Sequence, residues 1–162
     1  MDVRRAIAGD EPIVRWLRLE ALADSPAAFG STLERERART EADWQRWIDP
    51  GPLWLLEDDG TPLGLTGVLV PEDGPGEIVS VWVHEQARGS GAAEVLLQAA
   101  VDWAGAEGID LLLHVTEGND RALRFYERMG FELTGREEPR DHDGAIEREM
   151  RRPPTSDGTA AR

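Results

Sequence analysis

The stretch Ile78–Gly91, IVSVWVHEQARGSG, decides the reading of this 162-residue chain. Ile78–Val83 is rich in β-branched and aromatic residues and predicts a strand. Gln86-Ala87-Arg88-Gly89-Ser90-Gly91 then predicts a turn, and the apolar-periodic segment after it predicts a helix. The first turn of a helix leaves backbone N–H groups unpaired and carries the positive end of the helix dipole. Gly89 and Gly91 remove the side chains that would hold a phosphate away from those donors. The segment therefore predicts a site for a phosphorylated molecule.

Working outward, Val3–Ala6 predicts a first strand, with Asp10 capping a helix that opens at Glu11-Pro12. Ile13, Leu17 and Ala21 give that helix a buried stripe, and Ser25-Pro26 ends it. Thr40 and Asp43 form a capping-box pattern ahead of Trp44, Trp47 and Ile48, and Pro50-Gly51-Pro52 closes the segment. Leu53–Glu57 and Leu63–Val70 predict a hairpin through Asp58-Asp59-Gly60, and Glu77–Val83 a third antiparallel strand after the turn Pro71–Gly76. The helix from Gly91 to Ala104 is expected to bury Ala92, Leu96, Ala99, Ala100 and Trp103. The apolar run Ile109–Val115 predicts a central strand covered on both faces. Asn119 or Asp120 caps a short helix with Ala122, Phe125 and Met129 inward and Gly130 at its stop. Phe131–Gly135 and Ala145–Met150 supply the last strands. The expected fold class is α/β, a mixed, mostly antiparallel sheet of six to seven strands flanked by about four helices. One domain is expected over 1–150, with a flexible tail over 151–162.

Composition narrows the chemistry. The chain has no cysteine, which excludes a disulfide scaffold, a thiolate nucleophile and thiolate metal ligands. Its net charge of -14 repels nucleic acid and suits a cationic substrate, although solubility accounts for the same charge. No apolar run is long enough for a membrane span and no signal segment precedes the first strand, so a cytoplasmic protein is expected. His142 between Asp141 and Asp143 is a loop cluster without further ligands, and no metal is expected. The third glycine of a dinucleotide fingerprint is replaced by Glu94, and a P-loop is excluded because all 18 basic residues are arginine.

Gln86-Ala87-Arg88-Gly89-Ser90-Gly91, placed directly after the strand Val81-Trp82-Val83, resembles the acetyl-CoA motif Gln/Arg-x-x-Gly-x-Gly/Ala of the GNAT family of N-acetyltransferases. A second segment, Asn119-Asp120-Arg121-Ala122 followed by Phe125-Tyr126 and Gly130-Phe131, is similar to that family's Asn-x-x-Ala-x-x-x-Tyr-x-x-x-Gly-Phe pattern. The resemblance covers nearly all the chain except the tail and implies a GNAT-like acyl-CoA N-acyltransferase fold with acetyl-CoA as the acetyl-donating co-substrate. It implies that amides from Arg88 through Gly89, Ser90, Gly91 and Ala92 to Ala93 hold the pyrophosphate. It also implies that the backbone of Val81 and Val83 pairs with the pantetheine arm between two splayed strands. Gln86, Trp82, Ala122 and Phe125 fall in the same motifs, Asn119 would contact the cofactor, and Tyr126 would lie by its sulfur.

Acetyl transfer to an amine needs orientation, donors for the developing negative charge, and removal of a proton from the ammonium. Tyr126 is the candidate acid for the leaving thiolate, or else packs beside Phe125. Glu77, which by strand parity shares a face with Val79, Val81 and Val83, His114 and Glu20 are candidate bases, each with a plainer reading as an edge charge, a core histidine or a solvated helix charge. His84 is a weaker candidate. Trp44 and Trp47 either wall an acceptor pocket or belong to the core. The expected function is N-acetyl transfer through a ternary complex to a primary amine of a small, cationic molecule. Acetylation of a protein or peptide amino group and non-catalytic CoA binding are the alternatives. A homodimer through an exposed late strand is compatible with the sequence, which shows no patch that compels one.

Overall fold

The computed structural model describes residues 1–49 and 51–155; Pro50 of the expected helix stop and residues 156–162 of the expected tail lie outside them. In chain order the elements are β1 (Asp2–Arg5), α1 (Glu11–Asp24), a 3-10 turn (Pro26–Ala28), α2 (Leu33–Arg37), α3 (Glu41–Ile48), β2 (Leu53–Asp58), β3 (Thr61–Leu69), β4 (Gly76–Val83), a second 3-10 turn (Glu85–Ala87), α4 (Ala92–Glu107), β5 (Leu111–Thr116), α5 (Asp120–Arg128), β6 (Glu132–Pro139) and β7 (Ile146–Arg152). The seven strands form one sheet in the order β1-β2-β3-β4-β5-β7-β6, antiparallel at every junction except β4–β5. The expected mixed sheet is present, with the five-residue α2 added to the helices read from the sequence.

The sheet separates two cores. α1 and α3 bury Val14, Leu17, Ala21, Leu22, Trp44 and Ile48 against Leu53, Leu55, Leu65 and Trp82. On the other face α4 packs Leu96, Leu97, Ala100 and Val101 on Leu56, Val68, Ile78, Leu111, Leu113 and Met150, with the inner side of α5 alongside. Alternation in β2 sends Leu53 and Leu55 to the first core and Trp54 and Leu56 to the second, so both of its faces are dry.

Local chemistry explains most element ends. Thr40 and Asp43 make the expected reciprocal capping box on α3. Asp59 and Gly60, at φ 48° and 77°, form the tight turn between β2 and β3, where two successive left-handed residues match the twist of a hairpin. Asn119 caps α5 by accepting from the Ala122 amide at 3.2 Å.

Several local expectations are corrected. Asp10 flanks α1 but makes no side-chain cap; its carboxylate is taken by both Arg4 Nη atoms, at 2.7 and 3.0 Å, and by the Ile7 amide. The buried stripe of α1 is centred on Val14, Leu17 and Ala21, leaving Ile13 half-buried, and Trp16 is 44% exposed. In α4 the stripe widens to Leu97, Val101 and Ala104, while Ala99 and Trp103 are half-buried. β5 is covered by an α-helix on one face only: Leu111, Leu113 and Val115 lie under α4, while Leu112, His114 and Thr116 are half-buried opposite, where the 3-10 turn Pro26–Ala28 reaches β5 and α1 packs over β3 and β4 instead. β7 continues through Arg151 and Arg152, past the expected start of the tail, and Arg152 Nε donates to the Met129 carbonyl at 2.9 Å.

Candidate active site

Two neighbouring parallel strands that stop pairing create the site. β4 and β5 are in register at Gly76–Leu111 and Glu77–Leu112 and nowhere beyond. From Ile78 and Leu113 onward the strands diverge, and a small chamber of about 160 Å³ opens between them. A bulge in β4 contributes: β3 advances two residues between Leu65 and Gly67 while β4 advances three between Trp82 and Val79. Ser80 takes the extra position in a left-handed conformation, φ 62°, rare for a residue with a side chain. Its Oγ accepts from Arg18 Nη1 at 2.8 Å, and the buried Arg18 guanidinium lies over the Phe29 ring and against Glu36. The bulge also breaks the parity expected along β4. Glu77 does not share a face with Val81 and Val83, which pack with Ile78 in the α4 core, whereas Trp82 packs in the α1 core.

The chamber opens into a cleft of about 650 Å³ between the end of β4, the start of α4 and α5. Gly89 and Gly91 both sit in the left-handed region, φ 75° and 82°, and Gly91 opens α4 without a side-chain cap. Among the described residues, the amides of Gly89 to Glu94 have no hydrogen-bond partner, and five of these six residues line the cleft. Unpaired amides at a helix start form an anion cradle. Gln86 and Ser90 stand outside its lining: Gln86 is exposed, with its amide capped by His84 Nδ1, and Ser90 Oγ donates to the Ala87 carbonyl at 2.6 Å. The other residues expected to bind the cofactor, Val81, Trp82, Val83, Arg88, Ala92, Ala93, Asn119, Ala122, Phe125 and Tyr126, all line the cleft.

Arginine makes this cleft locally cationic inside an acidic protein. Arg121, Arg124 and Arg128 reach it from α5, with Arg88 opposite and Glu94 the one carboxylate among its lining residues. Their spacing along α5 places them on one helix face, a pattern visible in the sequence but absent from the motif reading. Arg88 is partly committed: Nε donates to the Val83 carbonyl at 3.0 Å and Nη2 to Asp24. Asp24 also accepts from Trp82 Nε1 and Ser25 Oγ, and these bonds, Trp82 foremost, lower its pKa to about 2. Asp24 thus ties the end of α1 to β4 and to the turn that precedes α4, a role no sequence signal marked.

Tyr126 and His114 meet at the chamber, whose lining includes both. Tyr126 packs against Phe125 and Phe131, and burial pushes its phenol up to about 12. His114 Nδ1 is 3.3 Å from Glu77 Oε1, and Nε2 is 3.9 Å from Glu149 Oε2. The Glu77 contact raises the His114 pKa against the opposing effect of burial, with Glu147 and Glu149 adding to the rise. The same contact lowers the Glu77 pKa. Two candidate bases read separately from the sequence are therefore one pair, with His114 at the chamber and Glu77 behind it. Glu20 does not join them; it is exposed on α1 and lines neither cavity. His84 is a capping residue, and Asp143 beside His142 holds Arg140 in a two-bonded fork. Trp44 is buried in the α1–α3 core, and half-buried Trp47 lies tilted against it with ring centroids 5.8 Å apart.

Comparison with known proteins agrees with this architecture. The model of a family described as "Acetyltransferase (GNAT) family" matches residues 16–131. A mycothiol acetyltransferase of Thermomonospora curvata is 38% identical over 119 residues, covering 72% of this chain and 39% of the relative. That of Beutenbergia cavernae is 37% identical over 121 residues, covering 72% and 40%. The chain spans about two fifths of the length of these curated relatives. Among solved structures, a GNAT-family acetyltransferase of Streptococcus pneumoniae superposes with a TM-score of 0.78 at 20% identity, covering 95% of this chain and 99% of that one. A putative acetyltransferase of Salmonella typhimurium, solved with its cofactor acetyl-CoA, gives 0.78 at 18% identity, covering 96% and 94%.

Proposed function

The chain belongs to the GNAT family of acetyltransferases, and from that premise we propose that it moves the acetyl group of acetyl-CoA directly to the primary amine of a small molecule. The observation that carries the reading is the forked β4–β5 pair, whose chamber is lined by a protonated tyrosine and by a histidine backed by a carboxylate, and opens onto an anion cradle. The donor set fits the cofactor: unpaired amides and the α5 arginines suit its phosphates, and β4 beyond Glu77 is free of β5 for an extended arm. Bound there, acetyl-CoA supplies an acetyl group activated as a thioester. Paired with Glu77, neutral His114 is the base that accepts a proton from the incoming ammonium. The chamber orients the freed amine, and Tyr126 donates a hydrogen bond to the departing thiolate. No side-chain nucleophile takes part, in keeping with a sequence without cysteine.

The relatives named mycothiol acetyltransferase favour a small-molecule acceptor over a protein one. The test is an acceptor panel of amines, amino acids and peptides assayed for free thiol released from acetyl-CoA. Thiol release with small amines and not with peptides is expected. The reverse preference assigns the chain to protein acetylation, and binding of CoA without release under any acceptor assigns it to a non-catalytic role.

A further inference from the structure

A second cavity, of about 760 Å³, lies at the paired end of the two strands. Its lining includes Glu77 and Leu112, the last residues of β4 and β5 that pair. The next residues, Ile78 and Leu113, line the chamber. The groove thus runs up to the fork from one side and the chamber starts on the other. Glu77 stands in the groove wall and His114 in the chamber wall, 3.3 Å apart.

We infer that this groove receives the acceptor as a primary amine carried on an apolar body, with the ammonium at Glu77 and the body along Trp47, Leu69, Val70 and Leu112. The inference rests on the acetyltransferase reading and names its acceptor class. Three features carry it. Most of the wall is apolar, and it includes two large hydrophobic residues left in water, Leu69 at 45% and Val70 at 51% exposed. Such a pair at the mouth of a cavity is removed from water by an apolar ligand. The groove holds one carboxylate, Glu77, matching one ammonium, and that carboxylate already touches the proposed base. Its other charges are Arg5 and Arg46, which oppose a second cation. The net charge of -14 draws cations to the protein as a whole, but the groove itself selects against polyamines.

The experiment compares 2-phenylethylamine and spermidine, by calorimetry on CoA-saturated protein and by turnover with acetyl-CoA. Wild type is expected to bind 2-phenylethylamine and to acetylate it with kcat/KM at least tenfold above that of spermidine. Val70→Trp fills the groove from an exposed position that the fold tolerates. It is expected to weaken 2-phenylethylamine binding about tenfold, with the acetyl-CoA Kd unchanged. Equal or better use of spermidine, or unaltered 2-phenylethylamine binding in Val70→Trp, overturns the assignment of the groove while acetyl-CoA binding and thiol release leave the acetyltransferase reading standing. Failure to bind acetyl-CoA overturns both.

Discussion

Tyr126→Phe separates two roles for a tyrosine at a leaving thiolate. Burial holds the Tyr126 phenol at about 12, so Tyr126 is protonated across the working pH range and reaches a leaving thiolate as a hydrogen-bond donor. A hydrogen bond donated to a charged acceptor contributes roughly 1.5–3 kcal/mol, which corresponds to about 10- to 10²-fold in rate. The ring keeps its contacts with Phe125 and Phe131 in the variant, so the fold and the acetyl-CoA Kd are expected to hold. Single-turnover kinetics should show the chemical step slowed by that factor, and wild type should show no alkaline limb from this phenol below about pH 11. Unchanged single-turnover rates reduce Tyr126 to packing. An alkaline limb near pH 8–9 that vanishes in Tyr126→Phe refutes the hydrogen-bonding argument and restores proton donation.

Three further perturbations probe other parts of the site. Gly91→Ala meets no neighbour within 4 Å but forces a side chain into φ 82°, at about 1–2 kcal/mol; a lower Tm and weaker acetyl-CoA binding by calorimetry are expected, and unchanged affinity removes this turn from the anion site. His114 is a base only when neutral, so kcat/KM should rise with pH through a value above the ordinary 6.5, and Glu77→Gln should move that limb downward; a limb that stays in place disconnects the pair from turnover. Because the folded His114 pKa is raised, the stability it adds is complete below 6.5 and disappears as pH rises through the folded value, and a pH series of Tm for wild type and Glu77→Gln should show this sign. The depressed Asp24 pKa works in the opposite sense: its contribution is present above 3.8 and is lost as pH falls towards about 2. With its side chain 33% exposed, Asp24→Asn is expected to cost roughly 1 kcal/mol, a few degrees of Tm at pH 7, converging on wild type near pH 2.

Much of this architecture was legible because local chemistry and tertiary demand agree in it. The strand–turn–helix at Ile78–Gly91, the hairpin at Asp58–Gly60 and the Thr40–Asp43 cap each carry residues whose backbone preferences match their place in the fold. The misreadings lie where a distant partner intervenes. Asp10 had the residue type and position of a cap, but Arg4 holds its carboxylate on the side of β1. Parity along β4 failed at Ser80 because Arg18, 62 positions away in sequence, binds the hydroxyl of the bulged residue. The apolar run of β5 suggested cover on both faces, yet which face a helix covers depends on where α1 and α3 land. Glu77 and His114 were each visible as isolated candidates. Their union required the parallel register at Glu77–Leu112, which no spacing within either strand encodes. The arginines of α5 were legible in principle, since their helical spacing is local, but the second motif drew the reading to Asn119, Ala122 and Tyr126.

The most direct test of the central claim follows both products of one reaction: free CoA thiol and the acetylated amine, the second by mass spectrometry with isotopically labelled acetyl-CoA. The forked chamber predicts equal amounts of the two, with label in an amide on the acceptor nitrogen and loss of both on His114→Ala while acetyl-CoA still binds. Thiol release without a labelled amide, or labelled amide formed at an undiminished rate by His114→Ala, contradicts the account.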